Sequence, residues 1–226
     1  MNINISPIDE SENPKASASG VFGFFAKEGW TGGSSMYVNL ILYDDFEEMD
    51  AFVPVSIFGC LRDEFSIRYL SMTGDVVNGS QGAKIWTDYL IPEEISGIVL
   101  IPGGKGARRL LARDQRFLEC LKRTMEKAET CLMVGNSSTL LAQTGLLYRR
   151  LVAECPLDEN WKRMFTAEVR WIQKVPWISD GKYYSCASSA SAVKMTLGYI
   201  ADTLDVDLAE MAAKKLGFFW NPEEGE

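Results

Sequence analysis

Two four-residue apolar runs, "IVLI" (Ile98–Ile101) and "CLMV" (Cys131–Val134), each stop at a glycine-bearing turn, "PGG" and "GNSS". A run that is apolar at every position suits a strand covered on both faces, as parallel strands are in α/β proteins; a strand with one wet face would alternate. Further strand-length segments lie at Tyr37–Tyr43, Ser66–Ser71 and Tyr183–Ala187. Between them, apolar residues recur at helical spacing over Met49–Leu61 (Phe52, Val53, Ile57), Gln115–Ala128 (Phe117, Leu118, Leu121, Met125), the segment after Gly135 through Thr144, Ala190–Leu204 and Asp207–Leu216. Val76–Ile85, broken by "NGSQG", predicts a hairpin. Such alternation predicts a mostly parallel sheet sandwiched between helices, with ligands at the carboxyl ends of the strands. There are no internal repeats.

The chain has 226 residues, 46% apolar and 24% charged, the balance of a globular domain. No apolar stretch approaches the roughly 20 residues that span a membrane. The first residues are polar and acidic, without the charged-then-apolar order of a signal peptide, so a cytoplasmic location is expected. A net charge of −8 argues against nucleic-acid binding. "ARR" (Ala107–Arg109) and "YRR" (Tyr148–Arg150) are short and isolated, as on solvated faces. Five scattered cysteines with no C-x-x-C pair indicate reduced thiols rather than a disulfide framework. There is no histidine, which excludes Cys-His, Ser-His and His-ligated metal mechanisms. No acidic or thiol cluster suggests a metal site, and no cofactor is expected.

Residues 1–35 differ from the rest: "DESENPKASASG" and "GWTGGSS" are polar and Gly/Ser-rich, flanking "VFGFFAKEGW". They are expected to form a flexible tail ahead of a domain spanning 36–226. The tail is a natural extension, a fusion segment, or a peptide that docks on the domain, its three Phe and one Trp needing cover.

"CLMVGNSSTLLAQTGLL" (Cys131–Leu147) has the layout of a sharp strand-to-helix turn that presents one side chain for nucleophilic chemistry. Gly135 stands at the tip. Glycine accepts the strained backbone of such a turn without a Cβ clash, but brings no nucleophile. Asn136, Ser137 and Ser138 are then expected to cap the next helix and offer donors to a ligand.

Four segments, in order, resemble the ThiJ/PfpI family, the superfamily of the parkinsonism-associated deglycase: "LILYDDFEEMDAFVPVSIF" (Leu40–Phe58), "GIVLIPGG" (Gly97–Gly104), "GNSSTLLAQTGLL" (Gly135–Leu147) and "DGKYYSCASSASAVKMTLGYIADTL" (Asp180–Leu204). The likeness covers roughly Tyr37 to Trp220 and is nearest in feel to the isonitrile hydratases and the amidotransferase-like domains of some transcription regulators. It implies a flavodoxin-like three-layer α/β/α sandwich of the class I glutamine amidotransferase type, and a homodimer. It implies that Asp50 is the acidic residue beneath the elbow, and that the Gly103 and Gly104 N–H groups lie near it as an oxyanion hole would. The family's usual elbow Cys falls on Gly135, the next two residues on Asn136 and Ser137, and a frequent His on Cys155. A usual Gly falls on Ser188 and a usual Asp on Lys194. Cys-dependent hydrolysis is therefore not carried over.

Each position also has a plain reading. Asp50 could cap the helix that starts beside it; buried in an apolar pocket, it could instead be a general acid or base. Cys155 is either an inert buried thiol or a reactive one. Trp161, Trp171, Trp177, Phe218, Phe219 and Trp220 are expected in the core, at an interface, or lining an apolar pocket. Three functions follow. The first, favoured because the acid and the Gly-Gly turn are both present, is a noncanonical enzyme acting on a small molecule through Asp50, of the hydratase, lyase, isomerase or cyclase type. Its substrate contacts would be Gly103, Gly104, Gly135, Asn136, Ser137 and Cys155. The second is a degenerate member that binds a small molecule or a protein partner. The third is a domain whose pocket is filled by its own tail.

Overall fold

Fully buried strands form the middle of the structure, a computed structural model that describes residues 35–156 and 168–221. The tail segment "VFGFFAKEGW" and Trp161 lie outside the described residues. One compact unit begins at Ser35. Chain order is β1 (Met36–Ile41), α1 (Glu48–Phe58), β2 (Phe65–Ser71), β3 (Val76–Asn78), β4 (Lys84–Trp86), β5 (Asp88–Tyr89), β6 (Ile98–Ile101), α2 (Lys105–Arg113), α3 (Gln115–Lys127), β7 (Thr130–Val134) and α4 (Ser137–Gln143). It continues through β8 (Leu151–Ala153), β9 (Arg170–Ile172), β10 (Trp177–Asp180), β11 (Tyr183–Cys186), α5 (Ser189–Thr203) and α6 (Val206–Leu216).

Seven strands make the central sheet in the order β10-β11-β7-β6-β1-β2-β5. Every neighbouring pair is parallel except β10 with β11. α1, α5 and α6 pack together on one side, and α2, α3 and α4 associate with one another as a second helical group. All of β6 and β7 is consequently buried, the condition that the two apolar runs predict. The buried Asn39 of β1 donates from Nδ2 to Ser96 O (2.8 Å) and Ile98 O (2.9 Å), tying β1 to the entry of β6.

Four chain reversals follow β1, β6, β7 and β11, which are adjacent in the sheet. They bring the start of α1, the Pro102–Gly104 turn, Gly135 and the start of α5 to one edge, the carboxyl end of the strands. The hairpin β3–β4 is present as expected. α2, the two-residue edge strand β5 and the small parallel pair β8–β9 have no counterpart in the sequence reading. "ARR" lies on α2, with Arg108 and Arg109 exposed, and "YRR" is an exposed turn.

Candidate functional site

Asp50 is the third residue of α1, and it does not cap the helix. The N-cap is Glu47, which makes no side-chain cap bond, and the Asp50 carboxyl turns inward to only 5% exposure. Its Oδ2 accepts from the Gly103 N–H at 3.1 Å, and its Oδ1 accepts from the Ser189 hydroxyl at 2.5 Å. One carboxylate thus ties α1 to the turn after β6 and to the first residue of α5.

Gly135 has φ +59°, the left-handed region that glycine enters without a Cβ clash. Its N–H donates to Cys186 O at 3.0 Å, keeping it in register with β11. A Cβ built here would meet a single side chain within 4 Å, that of Asp50, with Oδ2 at 3.0 Å. The bare side-chain position of the elbow therefore faces the carboxylate, and Gly135 is itself buried. Gly103 is tighter still: a Cβ there would come within 2.6 Å of both Asn136 Oδ1 and Asp50 Oδ2.

Asn136 joins the elbow to the turn. Its Oδ1 accepts from Gly104 N–H (2.8 Å) and its Nδ2 donates to Gly104 O (3.0 Å). This corrects two expectations. The N–H groups of Gly103 and Gly104 do not stand ready for an anion, because Asp50 and Asn136 already take them. Nor does Asn136 cap α4, since its side chain is committed to Gly104. Ser137 is fully buried and donates back to Val134 O (2.8 Å), and Ser138 donates to Gly135 O (3.1 Å), so neither hydroxyl points to a ligand.

Burial pushes the Asp50 carboxyl above its ordinary value. The Ser189 and Gly103 hydrogen bonds oppose that rise, and the charge of Glu47 adds to it. Tyr43 lies near the acid: burial, and then the Asp50 charge, raise its phenol well above normal, and its Oη donates to Pro102 O at 2.6 Å. Cys186 is likewise raised by burial first and by Asp50 second, which leaves a neutral, inert thiol. Cys155 is buried just beyond β8, close enough to Cys186 to bear on its ionisation. Among the described residues no group of three or more His, Cys, Asp or Glu side chains could hold a metal ion.

Asp50, Gly103, Gly104, Gly135 and Asn136 thus converge, Ser137 turns away, and Cys155 is buried near Cys186. Ser189 is the contact that the sequence reading misses. Its one signal is a place in the small polar run "CASSASA" just past a strand end. A separate groove of about 260 Å³ lies along α1, lined by Glu48, Met49, Phe52, Val53, Ser56 and Phe218, and does not include Asp50. Trp171, Trp177, Phe218 and Trp220 are half-buried against the core, while Phe219 is 93% exposed.

A mostly parallel sheet with helical layers, and with an acid, a Gly-Gly turn and a glycine elbow at adjacent strand ends, defines a flavodoxin-like α/β domain. The sequence model of the DJ-1/PfpI family matches residues 36–202, and the chain belongs to that family. A ThiJ/PfpI family protein from Pseudomonas syringae superposes with a TM-score of 0.71 at 18% identity, over 84% of this chain and 78% of that one. Drosophila melanogaster DJ-1beta gives 0.70 at 16% identity, over 83% and 100%. An AraC family transcriptional regulator from Pseudomonas putida gives 0.62 at 20% identity, over 80% and 99%. At these identities the likeness is one of fold. No curated protein matches the chain. Among the described residues no helix is long and apolar enough to cross a membrane.

Proposed function

We propose that this DJ-1/PfpI domain is a non-covalent binder of small molecules, in which Asp50 accepts a hydrogen bond from an N–H or O–H group of a ligand seated above Gly135. The observation that carries this reading is the missing side chain at the elbow: a Cβ at Gly135 would meet only the Asp50 carboxyl, so the position that a nucleophile would take faces the acid directly. A carboxylate is an acceptor with two lone pairs on each oxygen, so Oδ2 can take a second donor beside the Gly103 N–H. Anionic ligands are disfavoured, since the neighbouring turn donors are already engaged and Glu47 adds negative charge nearby.

The absence of a nucleophile at Gly135 and of any histidine supports binding over covalent turnover. So does the lack of free turn N–H groups, since oxyanion donors commonly supply a factor of about 10²–10³ in rate. A second reading has its own support: the raised Asp50 carboxyl suits a general acid or base near neutral pH, serving hydration, elimination, isomerisation or cyclisation. A thermal-shift panel of amines, amides, alcohols and carboxylates, with consumption of every hit followed by NMR, separates the two. The binding reading expects stabilisation by donor-bearing compounds with no consumption. Asp50-dependent consumption would establish the enzyme instead.

A homodimer and a cytoplasmic setting belong to the same proposal. The exposed Met49, with Phe52, Val53 and Phe218 along the α1 groove, is the apolar surface that a second copy would cover. Light scattering reads the mass directly, and a monomer at high concentration would reject the dimer.

A further inference from the structure

We infer that Ser189 is the positioning residue of the elbow site: its hydroxyl orients the Asp50 carboxylate beneath Gly135 and keeps it an acceptor. The inference rests on the ligand-binding reading of the position above Gly135.

Ser189 is the first residue of α5, yet it is not needed to cap that helix. Ser188 is the N-cap, its Oγ accepting from the Ser191 N–H at 3.3 Å and pairing with Ser191 Oγ at 3.1 Å. The Ser189 hydroxyl is thereby released to donate to Asp50 Oδ1 at 2.5 Å, a length typical of a charge-assisted O–H···O bond. The Gly103 N–H donates to the other oxygen, Oδ2, at 3.1 Å. Two donors from different parts of the fold, one on each oxygen, fix the plane of the carboxyl group and hold Oδ2 beneath Gly135.

Ionisation of Asp50 is opposed on several sides. It is buried, Glu47 adds negative charge from the turn before α1, and the neighbouring Tyr43 and Cys186 are both held neutral at the ends of β1 and β11. The donors that favour the carboxylate are Ser189 and Gly103. Gly103 contributes a backbone N–H, present whatever the side chain, so Ser189 is the point at which sequence sets the charge of the site. Without that hydroxyl Asp50 would hold its proton to higher pH, and a protonated carboxyl donates where the carboxylate accepts. The residue then selects ligand chemistry, donor against acceptor, without touching the ligand.

The test is a carboxyl ¹³C NMR titration of Asp50 in the full chain, assigned with Asp50→Asn, for wild type, Ser189→Ala and Ser189→Thr. The titration midpoint should move upward in Ser189→Ala and return towards wild type in Ser189→Thr, which keeps the hydroxyl. Equal midpoints in wild type and Ser189→Ala, or equal elevation in both variants, would overturn the inference. A merely structural role would lower thermal stability and leave the midpoint in place. The titration needs no ligand, so its failure is distinct from a failure of the binding reading, which would appear as an empty ligand panel over a normal Ser189-dependent midpoint.

Discussion

Gly135 is where backbone and chemistry meet. Any other residue there takes a left-handed conformation and sets its Cβ 3.0 Å from Asp50 Oδ2. Gly135→Ala should therefore cost about 1–3 kcal/mol of stability, measured by chemical denaturation, and should also abolish ligand-induced stabilisation by filling the position that faces the acid. Unchanged stability would mean that the elbow relaxes freely. Asp50 carries a pH signature of its own. Its folded-state value lies above the ordinary 3.8, so the folded chain holds the proton more tightly than the unfolded one. That contribution is complete below the ordinary value and is lost as pH rises through the folded one. Relative to Asp50→Asn, wild type should lose stability from acid to neutral pH. A stability difference between the two that stays constant across that range would contradict the burial of the charge.

At the scale of elements, the Asn136–Gly104 pair latches the turn after β6 to the elbow after β7. Two partly buried hydrogen bonds at a net 0.5–1.5 kcal/mol each put Asn136→Ala at about 1–3 kcal/mol. The variant should also gain affinity for small anions, because Gly104 N–H loses its partner; sulfate-dependent thermal shifts read this. The β3–β4 hairpin is pinned in a similar way, Glu48 Oε1 accepting from the N–H groups of Gln81 (2.7 Å) and Ala83 (3.3 Å). In Glu48→Ala those two amides should exchange faster with solvent while those of β6 and β7 do not change. The elements visible in the sequence were those with a strong apolar signal. β6 and β7 stand out because every position is buried. α2 does carry a helical stripe, Ala107, Leu110 and Leu111 packing on the core, but it is short and set among arginines and a lysine, so it is easily passed over. β5, β8 and β9 are two or three residues long and take their pairing from the neighbouring chain.

For the whole molecule, legibility follows sequence distance. Asp50, the Gly-Gly turn and Gly135 sit at strand ends whose apolar runs are readable, so their convergence follows from a parallel sheet. Ser189 is 139 residues from the carboxylate it contacts, and locally it is one of three serines in "CASSASA" with nothing to single it out. The same holds for the state of the turn donors, which depends on where Asn136 points once the sheet has closed. Two positions compete as the proposed ligand site, the elbow over Asp50 and the apolar groove along α1. Amide chemical-shift mapping with the first amine- or alcohol-bearing compound that stabilises the protein decides between them. The account predicts perturbed amides at Gly103, Gly135 and Ser189, and loss of binding in Asp50→Asn. Perturbations confined to Met49, Phe52, Val53 and Phe218, or undiminished binding by Asp50→Asn, would contradict it.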